Sequence, residues 1–334
     1  MPLNWGLGHV TRSIPVIRKF IDQGNTVLVG GSPSQLILLT DEFPGITRVK
    51  FPYTRVRLNR KQFQLFSLFC QVPIFLMQIC KEHIALKKVI KNYKIDLVVS
   101  DNCYGLWNKK IHSIFITHQL NIKLPEYIKF LSKPINKINH WFIKKYDECW
   151  IPDLKNSGGY AGELSHGTAI NNKIRYIGIL SRFSFFKQSE DVRNFTLKKS
   201  ILILISGPEN QRSVFERIIK DQIPAISDKY EYTIIRGLPE KKADLGPGWY
   251  NHMPSKELMK KISKANAIIC RSGYSTIMDL LTLNKTAMLV PTLGQAEQEY
   301  LAEYLSSKQL FFTVSQNELN IALAIEKLLS VSNL

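Results

Sequence analysis

The sequence predicts an α/β protein with two parallel sheets, each in a domain of its own. Three observations carry this. Short continuous apolar runs alternate with segments of helical period along most of the chain, the pattern of strands covered by helices on both faces. The stretch Ile268–Leu305 runs from the end of one apolar strand through strand–turn–helix twice in succession. Residues 152–173 are rich in Gly, Asn and Ser, which suits a connection between domains, and 334 residues are enough for two cores.

Taken in order, the first half offers strands at Thr26–Gly30, Val49–Phe51, Leu97–Ser100, Ser113–Ile116 and Glu148–Ile151. Helical spacing of apolar residues falls at Val10–Gln23, Cys80–Asn92 and 129–146. The second half offers strands at Ile201–Ile205, Tyr232–Arg236, Ala267–Cys270 and Ala287–Val290. Its helices are expected at 212–220, 255–265, 275–283, 296–305 and 317–329. The domains are then residues 1–178 and 179–334, with the junction near Ile179–Phe183. The chain opens on Asn4-Trp5-Gly6-Leu7-Gly8-His9, which reads as a strand-to-helix turn, yet only Met1-Pro2-Leu3 stand before it. The expectation is a first strand that is missing, through a start set too late or a trimmed N-terminus.

Composition narrows the partners. The net charge of +18 is uneven: residues 1–150 hold 22 Lys/Arg against 9 Asp/Glu, and the remainder 23 against 18. Such a field suits nucleic acid, an anionic membrane or a phosphorylated substrate. Residues 48–94 hold eleven Lys/Arg and one Glu around the apolar, aromatic run Phe63–Cys80. Gln64, Gln71, Pro73 and Gln78 interrupt that run, so it fits an interfacial segment better than a membrane span. The Arg55–Lys94 region is thus expected to meet an anionic membrane surface. Packing of Phe66, Phe69 and Phe75 on the sheet is the plain alternative. No nucleic-acid-binding motif is evident. Five widely spaced cysteines without a Cys-x-x-Cys pair, and no signal peptide, point to a reducing cytoplasm. No ligand-spaced His/Asp/Glu set appears, so neither a catalytic metal nor a cofactor is expected.

Several clusters can carry chemistry. Gly6-Leu7-Gly8-His9, followed by Thr11 and Arg12, lets the backbone approach a ligand and aims a helix N-terminus at it. Ser100-Asp101-Asn102 and Thr117-His118-Gln119 both fall where strands end, the ligand-binding edge of an α/β sheet. Ser206-Gly207-Pro208-Glu209-Asn210-Gln211-Arg212 follows the strongest apolar run and can hold a diphosphate through backbone N–H groups, although Pro208 removes one donor. In the Ile268–Leu305 stretch, Arg271-Ser272-Gly273 forms a tight turn, Ser275 can cap the helix holding Thr276, and Pro291–Gln295 forms the second loop.

This last stretch resembles the donor-nucleotide motif of GT-B glycosyltransferases, closest to family 28. That branch includes the N-acetylglucosaminyltransferase that makes lipid II and the diacylglycerol galactosyltransferases. The resemblance implies a GT-B fold, two Rossmann-like parallel-sheet domains facing a cleft. It implies that the N-terminal domain takes the acceptor and the C-terminal domain a nucleotide-diphosphate sugar, expected to be a UDP-sugar, used as substrate. Asp279 matches the acidic residue that holds the ribose hydroxyls. Gln298 and Glu299 match a glutamine pair that contacts the donor sugar, one amide being changed to a carboxylate. Gly178-Ile179-Leu180-Ser181-Arg182 resembles a hinge whose arginine reaches toward the diphosphate.

By the same resemblance Gly6, Gly8, Thr11, Arg12, Asn102 and Gln119 face the acceptor. The catalytic candidates are His9, Asp101 and His118. His9 takes the acceptor proton or only binds the acceptor; Asp101 orients a histidine or is itself the base. Donor-site candidates are Arg182, Ser206, Gly207, Asn210, Arg271, Ser272, Gly273, Ser275, Thr276, Asp279, Gln295, Gln298 and Glu299. Arg271 either approaches the diphosphate or pairs inside the domain. The implied reaction is inverting, metal-independent transfer to a lipid-linked or membrane-presented acceptor, by a cytoplasmic enzyme peripheral at the inner face of the cytoplasmic membrane. The rival readings are a nucleotide-sugar epimerase or hydrolase on the same fold, and a sugar-nucleotide-binding protein without catalysis.

Overall fold

The computed structural model describes residues 1–3, 7–52, 64–168, 170, 173–186, 198–241 and 245–331, with backbone alone for 64–71. The chain divides into two compact units, the first ending at Leu180 and the second running from Ser181, with Gly8 grouped with the second.

In the N-terminal unit the elements are α1 (Gly8–Asp22), β1 (Leu28–Gly30), α2 (Pro33–Glu42), β2 (Thr47–Val49), α3 (Gln64–Tyr93), β3 (Leu97–Asp101), β4 (His112–Ile116), α4 (Ser132–Ile143), β5 (Glu148–Ile151) and β6 (Ile174–Tyr176). Strands β3-β4-β5-β6 pair in parallel in that order, and β1 pairs with β2, also in parallel. Met1–Leu3 run beside β3: Leu3 N donates to Asp101 O and Asp101 N to Met1 O, each at 2.9 Å. A three-residue parallel segment therefore lies where the first strand was expected to be missing. Both faces of the sheet are buried. Phe115 and Cys149 pack with Ile143 of α4, and Ile114 and Ile116 pack with Val16 of α1.

Two helices depart from the sequence expectation. α2 was not expected, although Ser32-Pro33-Ser34-Gln35 is a capping box with Pro at the first turn; the Ser32 N–H donates to Gln35 Oε1 at 2.9 Å. α3 starts at Gln64 rather than Cys80, so the apolar run is helical and continuous with the charged segment after it. Leu, Met and Phe are compatible with a helix, and a single Pro73 does not break thirty residues of it. On its inner stripe Ile79, Glu82 and Leu86 are buried. Val72, Ile74, Phe75, Leu76 and Met77 are exposed. Arg55, Arg57, Arg60, Lys61 and Phe63 lie outside the described residues, as do the side chains of Phe66 and Phe69.

The C-terminal unit contains β7 (Ser200–Leu204), α5 (Gln211–Gln222), β8 (Glu231–Ile235), β9 (Trp249–Tyr250), α6 (Ser255–Lys264), β10 (Ala267–Cys270), α7 (Tyr274–Thr282), β11 (Met288–Leu289), α8 (Ala296–Ser307), β12 (Phe312–Thr313) and α9 (Ile321–Val331). All six strands are parallel, in the order β12-β11-β10-β7-β8-β9. The chain winds outward from β7 to β9 and then returns to the other side of β7. The strand order thus reverses between β7 and β10, where open α/β sheets leave a crevice beyond the strand ends. The core is mainly isoleucine: Ile201, Ile203, Ile234 and Ile269 of the sheet meet Phe215 and Ile219 of α5 and Ile321 and Ile325 of α9. The two-residue strands β9 and β12 were too short to show a period in the sequence.

Gly105 tests how α3 is seated. A Cβ there would lie 2.3 Å from Ile79 O and 2.7 Å from Glu82 Cβ. Its N–H also donates to the buried Glu82 carboxylate at 3.1 Å. Gly105→Ala should therefore lower the urea-unfolding free energy by about 1–3 kcal/mol, the usual cost of overpacking a core.

Candidate functional site

In the N-terminal unit the end of β3 and the first turn of α1 converge on one carboxylate. Asp101, 2 % exposed, receives the Arg12 Nε–H on Oδ2 at 2.6 Å and a second Arg12 N–H on Oδ1. His9 Nδ1 lies 2.7 Å from the same Oδ1. Burial alone would raise the Asp101 carboxyl, but the Arg12 guanidinium and His9 beside it outweigh that and hold it well below the ordinary carboxylate range. His9 Nδ1 also lies 2.9 Å from Arg12 NH2, so it stands between the accepting carboxylate and the donating guanidinium. Arg12 NH1 lies 2.8 Å from His118 Nδ1. A guanidinium can only donate, so that nitrogen is the accepting one.

These contacts bring together the three catalytic candidates and Arg12. Arg12 was expected to face the acceptor. It is 2 % exposed, and its guanidinium lies against Asp101 and His118. His9 is the most open of the four, at 15 % side-chain exposure. Thr11 is buried next to it on α1, and Gly8 opens the helix; Gly6 lies outside the described residues. Asn102 directly follows Asp101 in a left-handed conformation, φ 53°, and its buried Oδ1 has no hydrogen-bond donor among the described residues. Gln119 follows His118; its N–H donates to Thr117 Oγ1 at 3.0 Å.

In the C-terminal unit the loops after β7, β10 and β11 hold the donor-site candidates. Ser206 and Gly207 follow β7 and are half-buried; Gly207 has φ 114°, with nothing near the position of a Cβ. Asn210 precedes α5 with φ 73°. Arg212 is not open to a ligand: its side chain is buried between Glu209, 2.9 Å from Nε, and Glu216. After β10, Gly273 rather than Ser275 is the N-cap of α7. Ser275 and Thr276 are half-buried in its first turn, and Ser272 Oγ donates to Gln298 O at 2.8 Å.

Arg271 has an interior role. It is fully buried; NH1 donates to Val290 O and Pro291 O, both at 3.2 Å, and NH2 to Gln211 O at 3.3 Å and Gln316 Oε1 at 2.6 Å. Its guanidinium lies 3.9 Å from the centre of the Phe215 ring. No carboxylate pairs with it among the described residues. Burial lowers its pKa to about 9, so it stays charged at neutral pH. Of the two roles the sequence allowed, the geometry favours the internal one: Arg271 ties together the starts of α5, the β11 loop and the segment after β12. Gln316 carried no signal in the sequence.

The loop Pro291–Gln295 is held from α8. Gln298 Oε1 accepts from Thr292 N at 2.9 Å and Glu299 Oε1 from Gly294 N at 2.8 Å, and the buried Gln295 Oε1 has no donor among the described residues. Asp279 of α7 is 4 % exposed. Ser181 Oγ donates to its Oδ1 at 2.6 Å and Arg182 Nε to its Oδ2 at 2.9 Å. Ser181 was not among the candidates, although it adjoins one. Among the described residues no group of three His, Cys, Asp or Glu is arranged to hold a metal.

Comparison with known proteins fits this geometry. Residues 215–333 match the glycosyltransferase family 28 C-terminal domain. An uncharacterized glycosyltransferase of Methanosarcina acetivorans is 24 % identical over 318 residues, 88 % of this chain and 79 % of that one. This chain is a glycosyltransferase of GT-B fold, with the family 28 match confined to residues 215–333. The glycosyltransferase is also 27 % identical over 163 residues, 46 % of its own chain and 45 % of the other, to a UDP-N-acetylglucosamine–N-acetylmuramyl-(pentapeptide) pyrophosphoryl-undecaprenol N-acetylglucosamine transferase of Pasteurella multocida. In fold it resembles the crystal structure of the glycosyltransferase SnogD from Streptomyces nogalater, with a TM-score of 0.64 at 12 % identity, over 98 % of this chain and 89 % of that one.

Two outcomes check the glycosyltransferase's polar interior. The folded Asp101 carboxyl titrates below its ordinary value of 3.8. The stability it contributes is then fully present above that value and is lost as pH falls below it toward the folded value. Urea midpoints measured from pH 5 downward should fall, and Asp101→Asn should flatten that part of the profile. Arg271→Met removes the donors from three backbone carbonyls and the Gln316 amide oxygen. It should lower the unfolding free energy by roughly 3 kcal/mol, as read by urea denaturation.

Proposed function

We propose that the enzyme moves a sugar from a nucleotide-diphosphate sugar, a UDP-sugar, to a lipid-linked or membrane-presented acceptor with inversion and without a metal. The observation that carries this is the His9–Asp101 pair at the end of β3. In this reading Nδ1–H of His9 is directed at Asp101 Oδ1, and Nε2 is the basic nitrogen. The acceptor hydroxyl gives its proton to Nε2 as its oxygen attacks the anomeric carbon. The bond from that carbon to the diphosphate oxygen breaks, and the nucleoside diphosphate leaves with the electron pair. Arg12 keeps Asp101 ionised throughout and takes no proton. Asn102, with its unpartnered oxygen, suits a hydroxyl donor on the acceptor.

On the donor side, the first turn of α7 and the loop Ser206–Asn210 flank the reversal between β7 and β10. Backbone N–H groups there suit the charge that develops on the departing diphosphate. The UDP-sugar and the lipid-linked acceptor are favoured by the similarity to the Pasteurella transferase, whose name gives both.

Attachment to an anionic membrane surface has support in the N-terminal unit. Val72, Ile74, Phe75, Leu76 and Met77 of α3 are exposed, as are Ile138 and Trp141 of α4 beside Lys133, Lys137 and Lys145. Apolar groups beside lysines suit a headgroup boundary. No helix among the described residues is long and apolar enough to cross a membrane. Peripheral placement at the inner face of the cytoplasmic membrane follows from this reading.

A thermal-shift series of nucleotides tests the donor. UDP should raise the melting temperature well above the effect of ADP or GDP, and no nucleotide effect would sink the assignment. His9→Ala should lower kcat about 10²–10⁴-fold, the usual worth of a general base, while leaving UDP binding intact. Nucleotide release by the wild type without a glycosylated product would instead point to hydrolysis or epimerisation.

A further inference from the structure

The transfer step above uses His9 and gives no part to His118, although both histidines meet the same arginine. The Arg12 guanidinium donates Nε–H to Asp101 Oδ2 at 2.6 Å and an NH2 proton to Oδ1. NH2 also lies 2.9 Å from His9 Nδ1, and NH1 lies 2.8 Å from His118 Nδ1. The two histidines differ in what faces Nδ1. At His9 a carboxylate oxygen is in reach as well, at 2.7 Å. At His118 the guanidinium faces it, and a guanidinium can only donate. Nδ1 of His118 is therefore the unprotonated nitrogen, and the proton of the neutral ring is on Nε2.

A proton on His118 Nδ1 would point at an Arg12 N–H and set a second positive charge against the guanidinium. Asp101, the carboxylate of this cluster, is already engaged by two N–H groups of Arg12. All three side chains are buried, His118 at 3 % exposure, so water does little to weaken the repulsion. The backbone on either side of His118 is pinned too. Thr117 N donates to Trp150 O at 3.1 Å, and Gln119 N to Thr117 Oγ1 at 3.0 Å. His118 thus offers Arg12 a fixed, uncharged acceptor at NH1, while Asp101 holds Nε and NH2.

We propose that His118 is a positioning residue and not a base: as a neutral acceptor it fixes the Arg12 guanidinium, Arg12 fixes Asp101, and these two orient His9. His118 takes no proton from the acceptor. This deepens the transfer reading above and rests on it only for the reaction that the cluster serves. The charged and titratable groups gathered with His118 are His9 and Arg12 from α1 and Asp101 from the end of β3.

The experiment is long-range proton–nitrogen NMR on protein with isotope-labelled histidine, as wild type, His118→Asn and His118→Leu. It needs no substrate. The ring signals lost in both variants are those of His118, and a His9→Gln sample assigns His9 in the same way. In the wild type at about pH 7, His118 should show an unprotonated Nδ1 and a protonated Nε2. It should keep that form at about pH 5.5, one unit below the ordinary histidine value of about 6.5. Asparagine places an oxygen where Nδ1 stands and keeps an acceptor that takes no proton, whereas leucine removes it. The His9 ring signals should therefore stay in place in His118→Asn and move in His118→Leu. A proton on His118 Nδ1 at about pH 7, an imidazolium at about pH 5.5 in the folded protein, or His9 signals that respond equally to both variants would overturn the proposal. If His118→Leu does not fold, the wild-type spectra and the His9 signals of His118→Asn decide. The UDP thermal-shift series bears on the transfer reading separately: its failure leaves the His118 tautomer where it is, and a wrong tautomer leaves UDP binding untouched.

Discussion

A parallel sheet covered by helices on both faces has no room for chemistry except at the edge where its strands end. That constraint organises both units of this chain. The strands are short and almost wholly apolar, as in Ile201–Leu204 and Ala267–Cys270, and polar side chains gather at their ends: Asp101 as the last residue of β3, Thr117 and His118 after β4, Ser206 after β7 and Arg271 after β10. The reversal of strand order between β7 and β10 then decides which two of those edges in the C-terminal unit stand side by side.

Charges at those edges are buried, and each is stable only because of its partners. Asp101 has Arg12 and His9; Asp279 has Arg182 and Ser181; Arg212 has Glu209 and Glu216. Arg271 is the exception, with carbonyls, an amide and an aromatic face in place of a carboxylate. In the first two pairs, a buried carboxylate, at the end of β3 in one and on α7 in the other, is held by an arginine and a second polar side chain.

Much of the fold was legible because its strands are continuous apolar runs bounded by turns, and β10 matches the expected Ala267–Cys270 to the residue. What escaped had weak or misleading signals. β9 and β12 are two residues each, and α3 extends through a run whose glutamines and proline read as interruptions. At the sites, residue type and strand-end position were enough to bring His9, Asp101 and His118 into one group. They were not enough to assign partners. Nothing in the spacing of Arg12 shows that its guanidinium turns inward. Nothing near Asp279 in sequence points to Ser181 and Arg182, about a hundred residues away, because such contacts are made by the winding of the chain.

The burial of Arg271 has a consequence for how the two halves of the chain respond to salt. The excess positive charge of residues 1–150 resides largely on exposed lysines, where dissolved ions gather and mask it within about 8–10 Å at ordinary ionic strength. Arg271 keeps its charge inside the protein, where ions do not enter. An oxyanion held by the loops around it feels a field that added salt hardly weakens, while any attraction of the lysine surface for an anionic partner fades. Raising the ionic strength therefore separates two attractions that a count of net charge would treat as one.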